Sequence, residues 1–208
     1  MELRLGSHSK LVPILDYASL SVGGKAIEAL TSVTYSPLAR KDYVVLKRIF
    51  SRDPRVDHSP AAALTDGIEP GQCWAFHGDS GQLGIQLAKA IRVSALTVGH
   101  TNMSSTASAP KGLVLWGLKP VDSDFCAAFG GIGPPRLNLG SGSCGVRLLT
   151  GIYDPSNSQL YQNFTIDPGT PTPYYANYFD NVIVQIVGNW GHPGFTCIYR
   201  IQIYGEAY

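Results

Sequence analysis

Asn189-Trp190-Gly191-His192-Pro193-Gly194-Phe195-Thr196-Cys197-Ile198-Tyr199-Arg200-Ile201-Gln202-Ile203-Tyr204-Gly205-Glu206 reads as a turn that feeds a strand. Gly191, Pro193 and Gly194 supply the turn chemistry. The alternation that follows puts Cys197, Tyr199, Ile201 and Ile203 on one face and Ile198, Arg200, Gln202 and Tyr204 on the other. This predicts a half-buried strand with the cysteine row inward. An inward cysteine far from the others asks for a partner, and the first candidate is Cys73 in Gly71-Gln72-Cys73-Trp74-Ala75-Phe76.

The remaining composition is that of a β protein. Of 208 residues, 44% are hydrophobic, enough for one domain with a substantial core. Gly (23) and Pro (14), together with many Val, Ile, Thr and Tyr, favour strands and turns over long helices. Sixteen basic residues against fifteen acidic ones leave a net charge of +1, so nothing draws the chain as a whole to nucleic acid or an anionic membrane. The four cysteines, Cys73, Cys126, Cys144 and Cys197, have neither CxxC spacing nor nearby His ligands, which argues for one or two disulfides in an oxidising compartment rather than zinc. Asn102-Met103-Ser104 and Asn163-Phe164-Thr165 are glycosylation sequons compatible with that compartment. No apolar run approaches the roughly 20 residues that span a bilayer, and the N-terminus lacks a signal-peptide core, so the chain reads as a domain excised from a longer protein.

Along the chain, residues 1–10 are polar and patternless, a tag, a linker or the end of an upstream element. An apolar lead-in at 11–18 and a Gly23-Gly24 turn precede an irregular stretch to Tyr35. Residues 36–59 are the most basic segment, with Arg40, Lys41, Lys47, Arg48, Arg52 and Arg55 around Tyr43-Val44-Val45-Leu46. Two readings stand: an exposed element with a solvated basic face, or a projecting arm whose apolar centre a partner covers. Ala61 to Gly67 reads as a small-residue loop. Strands are predicted at 73–76, 84–87, 90–98, 112–118, 146–153, 160–166 and 181–187, and residues 119–145 as a long Gly/Pro-rich loop that Cys126 and Cys144 could staple. Neither GxxxxGK[ST] nor a GxGxxG leading into a helix occurs, and no Gly-x-Ser-x-Gly elbow accompanies the Ser, His and Asp residues, so nucleotide binding and hydrolysis have no support. The expected fold is an all-β sandwich or jelly roll with a projecting hairpin and a short N-terminal helical segment.

Taken in order, Asp16-Tyr17-Ala18 with Gly23-Gly24, Pro70-Gly71-Gln72-Cys73-Trp74-Ala75-Phe76, Ser108-Ala109-Pro110-Lys111, Asn189-Trp190-Gly191-His192-Pro193 and Thr196-Cys197-Ile198-Tyr199-Arg200 resemble the SUN domain over residues 11–208. The length of the 119–145 insertion resembles fungal members. The resemblance implies a non-enzymatic luminal domain between the two nuclear membranes. It would belong to a membrane-anchored inner-membrane protein that trimerises on an upstream coiled coil and binds the C-terminal tail of a KASH protein, bridging the membranes and coupling nucleus to cytoskeleton.

The same resemblance implies a Cys73–Cys197 disulfide and, beside it, a monovalent cation, potassium, on the backbone carbonyls of Ala62, Thr65, Gly67, Gln72 and Tyr199, an all-oxygen set suited to an alkali ion. Residues 36–59 match the family's lid, so that the tail would lie as an added strand under Tyr43, Val44, Val45 and Leu46. The tail's carboxylate and preceding prolines would enter a pocket of His100, Ser108, Phe195 and Tyr199, where hydroxyl and imidazole donors would meet the buried charge. Phe195 stands where animal members usually have Tyr. Thr31 stands where some members have a cysteine bonded to the partner, so no intermolecular disulfide is expected. The alternative is a carbohydrate-binding β-sandwich using Trp74, Trp116 and Trp190 as platforms, although their strand and turn contexts read as core. By the same contexts His192 reads as a turn residue packing beside Trp190, and His100, without the resemblance, as an ordinary strand-end histidine.

Overall fold

The computed structural model describes residues 15–36, 58–101, 106–129, 138–139, 142–166 and 177–208. Most of the 36–59 arm, including Tyr43, Val44, Val45 and Leu46, lies outside the described residues, as do residues 1–14, the Asn102 sequon, the glycine run at 130–137 and the turn at 168–173.

The described residues form nine strands: β1 (Lys25–Ala26), β2 (Trp74–His77), β3 (Ser80–Gly99), β4 (Pro110–Pro120), β5 (Ser143–Ile152), β6 (Tyr161–Thr165), β7 (Phe179–Asn189), β8 (Phe195–Ile198) and β9 (Arg200–Ala207). One short helix, α1 (Asp124–Phe129), and 3-10 turns at Leu20–Val22, Glu28–Leu30, Pro60–Leu64 and Thr106–Ser108 complete them.

The two strands expected at 84–87 and 90–98 are one, the 20-residue β3. Its first half pairs antiparallel with β7, from Ser80↔Val187 to Gln86↔Asn181, and with β1. Its second half pairs with β9 on one side and β6 on the other. The register shifts between Gln86 and Ile91, which turns the strand from the β1-β3-β7-β4-β5 layer into the β6-β3-β9 layer. A second bulge leaves Ser94 without a partner on β9 between Val93↔Gly205 and Ala95↔Tyr204, while its carbonyl accepts the Ile166 N–H at 2.9 Å, and the inward apolar positions change parity there from Ile91 and Val93 to Leu96 and Val98.

Between the layers lies the main core, with Leu83, Ile85, Leu113, Leu115, Phe179, Val184, Ile201 and Ile203 among its members. A second cluster, Leu30, Trp116, Leu118 and Ile183 with Leu139, covers the opposite face of β4 and β7. Gly84 makes room for it, because a Cβ there would stand 2.4 Å from Leu30 Cβ. Gln82 fastens the cover: its amide donates to the Leu30 carbonyl at 2.7 Å and the Asn138 carbonyl at 2.8 Å and accepts from the Asn138 N–H at 2.8 Å.

Two expectations about the 119–145 and 61–67 segments change. Lys119 and Pro120 are still strand, opposite Cys144 and Ser143, and α1 follows, so the insertion is not wholly loop. Disulfide formation between Cys126 and Cys144 (Cα–Cα 6.0 Å) pins α1 to β5. Pro60–Leu64 is a turn of 3-10 helix with Ala62, Ala63 and Leu64 buried, because Pro60 at its start fixes a helical φ and the alanines pack inward.

The strand expected from Cys197 through Tyr204 also divides. β8 pairs with β2 in a separate ribbon, β9 pairs with β3, and Tyr199 is the joint between them. Period-two alternation therefore fails across the joint. Arg200, expected on the outward face, is 1% exposed. Its Nη2 donates to Asp16 at 2.5 Å and to Asp66 at 2.8 Å. The second oxygen of Asp16 accepts the N–H of Ile203 at 2.9 Å and of Ala18 at 3.0 Å. Burial pushes the Asp16 carboxyl above its ordinary value, and the backbone donor at Ile203 and the guanidinium oppose that without overcoming it.

Replacing Arg200 with Met would leave the Asp16 charge buried without a cation, which is expected to cost about 3–5 kcal/mol. Asp16→Asn, which keeps both backbone contacts, should cost less than Asp16→Ala. Urea denaturation of the three variants measures both, and an Arg200→Met chain as stable as the parent would remove the pair from the account of the fold.

Candidate functional site

The site begins at the β2–β8 ribbon, where Trp74↔Ile198 and Ala75↔Cys197 face each other. Cys73, one residue before β2, reaches Cys197 along the diagonal, and the two are joined with their Cα atoms 5.7 Å apart. The disulfide forms a small buried cluster with Tyr199, against which Ile68 and Phe195 pack.

Asn189 builds the turn into β8. Its side-chain amide donates to the carbonyls of His192 (2.8 Å) and Phe195 (3.2 Å) and to the Thr196 hydroxyl (3.1 Å), while Gly191 takes a φ of +113° that a side chain would resist. His192 packs on Phe195, with ring centroids 4.0 Å apart, and its Nδ1 accepts the N–H groups of Gly194 and Phe195. Its partner is thus Phe195, not Trp190 as the sequence suggested. Phe195 also meets Tyr35 at 4.9 Å, and Tyr35 meets His77 at 4.8 Å. Tyr35 is held there by its own N–H, which donates to the Ala75 carbonyl at 2.7 Å, and by the Thr34↔Phe76 bridge. The chain therefore leaves along the outer edge of β2 as it enters the 36–59 segment.

Behind the ribbon, Tyr199 is buried and turns its ring edge-on to His100 at 4.8 Å. His100 directly follows β3 and is 3% exposed, with Tyr153 on another side at 6.0 Å. Nδ1 of His100 lies 2.8 Å from the Thr101 carbonyl, whereas Nε2 is buried with no hydrogen-bond partner among the described residues. Burial pushes the imidazole below its ordinary value, partly opposed by the bond to Thr101, and burial raises the Tyr153 phenol. Ser108 sits, buried, at the end of the Thr106–Ser108 turn; the neighbouring Ala107 carbonyl accepts the His192 N–H at 3.0 Å, tying that turn to the one before β8.

Of the four residues expected to make one pocket, His100 and Tyr199 are in contact, Phe195 joins them through the disulfide cluster, and Ser108 is linked through the His192 turn. Tyr35 and Tyr153 belong to the same region and were not singled out from sequence. No periodic signal marks Tyr35, and Tyr153 lies one residue beyond β5, its role set by contacts remote in sequence. Trp74 and Trp116 are buried as expected. Trp190 is not core: it is 39% exposed, donates its indole N–H to the Tyr153 carbonyl at 3.0 Å and carries the Lys111 ammonium 4.8 Å above its ring.

The residues expected to bind a cation lie on one short loop and the Tyr199 joint. Gly67 (φ +103°) and Gly71 (φ +82°) let the loop double back. Three ties then hold it: Asp66 to Arg200, the Gly71 N–H to the Tyr199 hydroxyl at 3.3 Å, and Cys73 to Cys197. The Ala62 carbonyl also accepts the Thr65 N–H at 3.3 Å. Among the described residues no group of three or more His, Cys, Asp or Glu side chains is placed to hold a metal. Thr31 is committed internally, donating to the Ile27 carbonyl at 2.7 Å and accepting from the Gly84 N–H.

A family model described as Sad1 / UNC-like C-terminal matches residues 54–130 and 143–207. Human SUN domain-containing protein 5 is 30% identical over 96% of this chain, which spans 46% of that protein. Mouse SUN domain-containing protein 2 is 30% identical over 94% of this chain, which spans 23% of that protein. The chain therefore spans less than half of these relatives. Among solved structures, a family 32 carbohydrate-binding module from Streptococcus pneumoniae EndoD superposes with a TM-score of 0.55 at 13% identity, covering 92% of this chain and 100% of that one. Allantoicase gives 0.54 at 14%, covering 93% and 44%. Identities this low bear on the sandwich fold alone.

Two measurements probe the buried centre. Because the folded His100 holds its proton less tightly than an ordinary imidazole, the unfolded chain takes up the extra proton as pH falls below about 6.5, so stability is full above that value and declines beneath it, by at most about 1.4 kcal/mol per pH unit for one group. Denaturation midpoints between pH 7.5 and 5.5 should show this decline, and His100→Phe should flatten it. Removing the Cys73–Cys197 bond, which closes 124 residues, is expected to cost about 5 kcal/mol, against about 3 for the 18-residue Cys126–Cys144 bridge. Equal losses from the paired Cys→Ala variants would contradict the loop-closure account.

Proposed function

The chain belongs to the SUN-domain family, that of the Sad1/UNC-like C-terminal region, and from that premise we propose that it binds the C-terminal tail of a KASH protein in the space between the inner and outer nuclear membranes. In this reading it is the luminal part of a longer, membrane-anchored protein that trimerises on an upstream coiled coil and links nucleus to cytoskeleton. It is a binding module, not an enzyme.

The observation that carries the proposal is the grouping of Phe195, Tyr199 and His100 around the Cys73–Cys197 disulfide, with Tyr35 leading from that group into the 36–59 segment. An extended peptide would add beside the ribbon, covered by Tyr43, Val44, Val45 and Leu46 of that segment, with its last residues against His100, Ser108, Phe195 and Tyr199. Apolar rings suit proline, and a free carboxylate needs hydrogen-bond donors where water is excluded. Phe195 in place of a tyrosine removes one such donor. Potassium held by the carbonyls of Ala62, Thr65, Gly67, Gln72 and Tyr199 would stiffen the loop behind Tyr199 and so the pocket wall.

The half-exposed Trp190, with Lys111 above it, favours a second reading, a sugar-binding surface of the sort that the named carbohydrate-binding module has. A peptide ending in Pro-Pro-Pro-Ala with a free carboxylate separates the two. Binding measured by fluorescence anisotropy should weaken about 10-fold or more when the carboxylate is amidated, and by about 10-fold in His100→Ala. Indifference to both changes, with reproducible hits on a glycan array lost in Trp190→Ala, would replace the peptide reading by the sugar one.

A further inference from the structure

The geometry points to His100 as a hydrogen-bond acceptor: we infer that its Nε2 receives a main-chain N–H of the bound tail, and that the tail's carboxylate is held by other donors. The inference rests on the peptide reading above and reverses one element of it, the expectation that the imidazole supplies a donor to the carboxylate.

It follows from the contact on the other nitrogen. A carbonyl oxygen has no hydrogen to give, so the 2.8 Å approach of Nδ1 to the Thr101 carbonyl is an Nδ1–H donated to oxygen. In a neutral imidazole the remaining nitrogen then carries a lone pair and no hydrogen. Nε2 is shielded from solvent, and nothing among the described residues donates to it. The rings beside it, Tyr199 and Tyr153, approach edge-on and at a tilt, and the Tyr199 hydroxyl accepts from the Gly71 N–H at 3.3 Å. At 3% exposure the ring is a poor place for a charge. A buried lone pair without a donor is an unfavourable arrangement that a ligand N–H relieves and a carboxylate worsens.

The chemistry of the tail supplies one such donor. Proline has no N–H, so in a chain ending Pro-Pro-Pro-Ala the amide of the last residue is the only main-chain donor among the last four, and it lies next to the carboxylate. One imidazole acceptor thus reads the position of the final non-proline residue, a requirement distinct from the recognition of negative charge.

The test uses the 208-residue chain with three peptides: the free acid ending Pro-Pro-Pro-Ala, its C-terminal amide, and the ester analogue in which L-lactic acid replaces the last alanine, removing the N–H while keeping the carboxylate. The parent chain should bind the ester about 10-fold more weakly than the free acid. In His100→Phe the ester and the free acid should bind alike, while the penalty for amidation persists; His100→Gln, which can accept through its side-chain oxygen, should restore part of the discrimination. A 15N spectrum of the unliganded chain, independent of any variant's folding, should show His100 protonated at Nδ1 and bare at Nε2. Equal binding of ester and free acid by the parent chain, loss of the amidation penalty rather than the ester penalty in His100→Phe, or a ring protonated at Nε2 would each overturn the assignment. Failure of the free acid itself to bind would instead remove the peptide reading on which the assignment stands.

Discussion

The buried guanidinium of Arg200 is the constraint on which the other parts of the molecule depend. Its Nη2 meets two carboxylates that arrive from different places, Asp16 from the N-terminal segment and Asp66 from the loop before β2. Asp16 occupies the position of a missing strand neighbour, accepting the Ile203 N–H while the Tyr17 N–H donates to the Ile203 carbonyl. A lone buried charge of either sign would be strongly unfavourable, so the Asp16 and Arg200 segments must come together, while the exposed Asp66 adds a weaker tie. Arg200 also follows Tyr199 directly, and the pair that orders the core therefore fixes the residue at the centre of the candidate pocket.

Much of the sandwich was legible because its strands obey simple periodicity. The β4 run Leu113–Leu118 reads as apolar throughout and is covered on both faces, and β5, β6 and β7 fall close to their expected spans. Periodicity misled at Arg200, since alternation presumes one continuous strand and the chain changes sheets at Tyr199. For the same reason β3 was read as two elements: the Gln86–Ile91 irregularity interrupts the pattern without interrupting the strand. Cysteine count and spacing indicated disulfides, and resemblance indicated which pair joins β2 to β8. Tyr35 and Tyr153 could not be found in sequence because their roles come from contacts with distant residues. The proton on Nδ1 of His100 was equally hidden, being set by where the Thr101 carbonyl points.

The site is built almost wholly from backbone irregularities braced by side chains. Asn189 satisfies the turn before β8 with a single amide, His192 caps the same turn from the other side, and the disulfide closes the ribbon that the turn initiates. Loops normally trade order for freedom to carry recognition groups. Here the described loops at 65–73 and 189–195 are each tied at several points, which holds Phe195 and Tyr199 in place and lowers the cost of ordering them on binding.

β3 gives the molecule one register instead of two. Its first half aligns β7 and β1, its second half aligns β6 and β9, and Tyr17 holds the corner between them through the Ala88 N–H. A one-residue slip at either end would reverse the inward and outward faces of that half against the shared core. A strand shared in this way is expected to make opening of one layer disturb the register of the other, and His100, the residue after that strand, takes its place from the same ladder, its N–H donating to the Leu160 carbonyl at 2.9 Å.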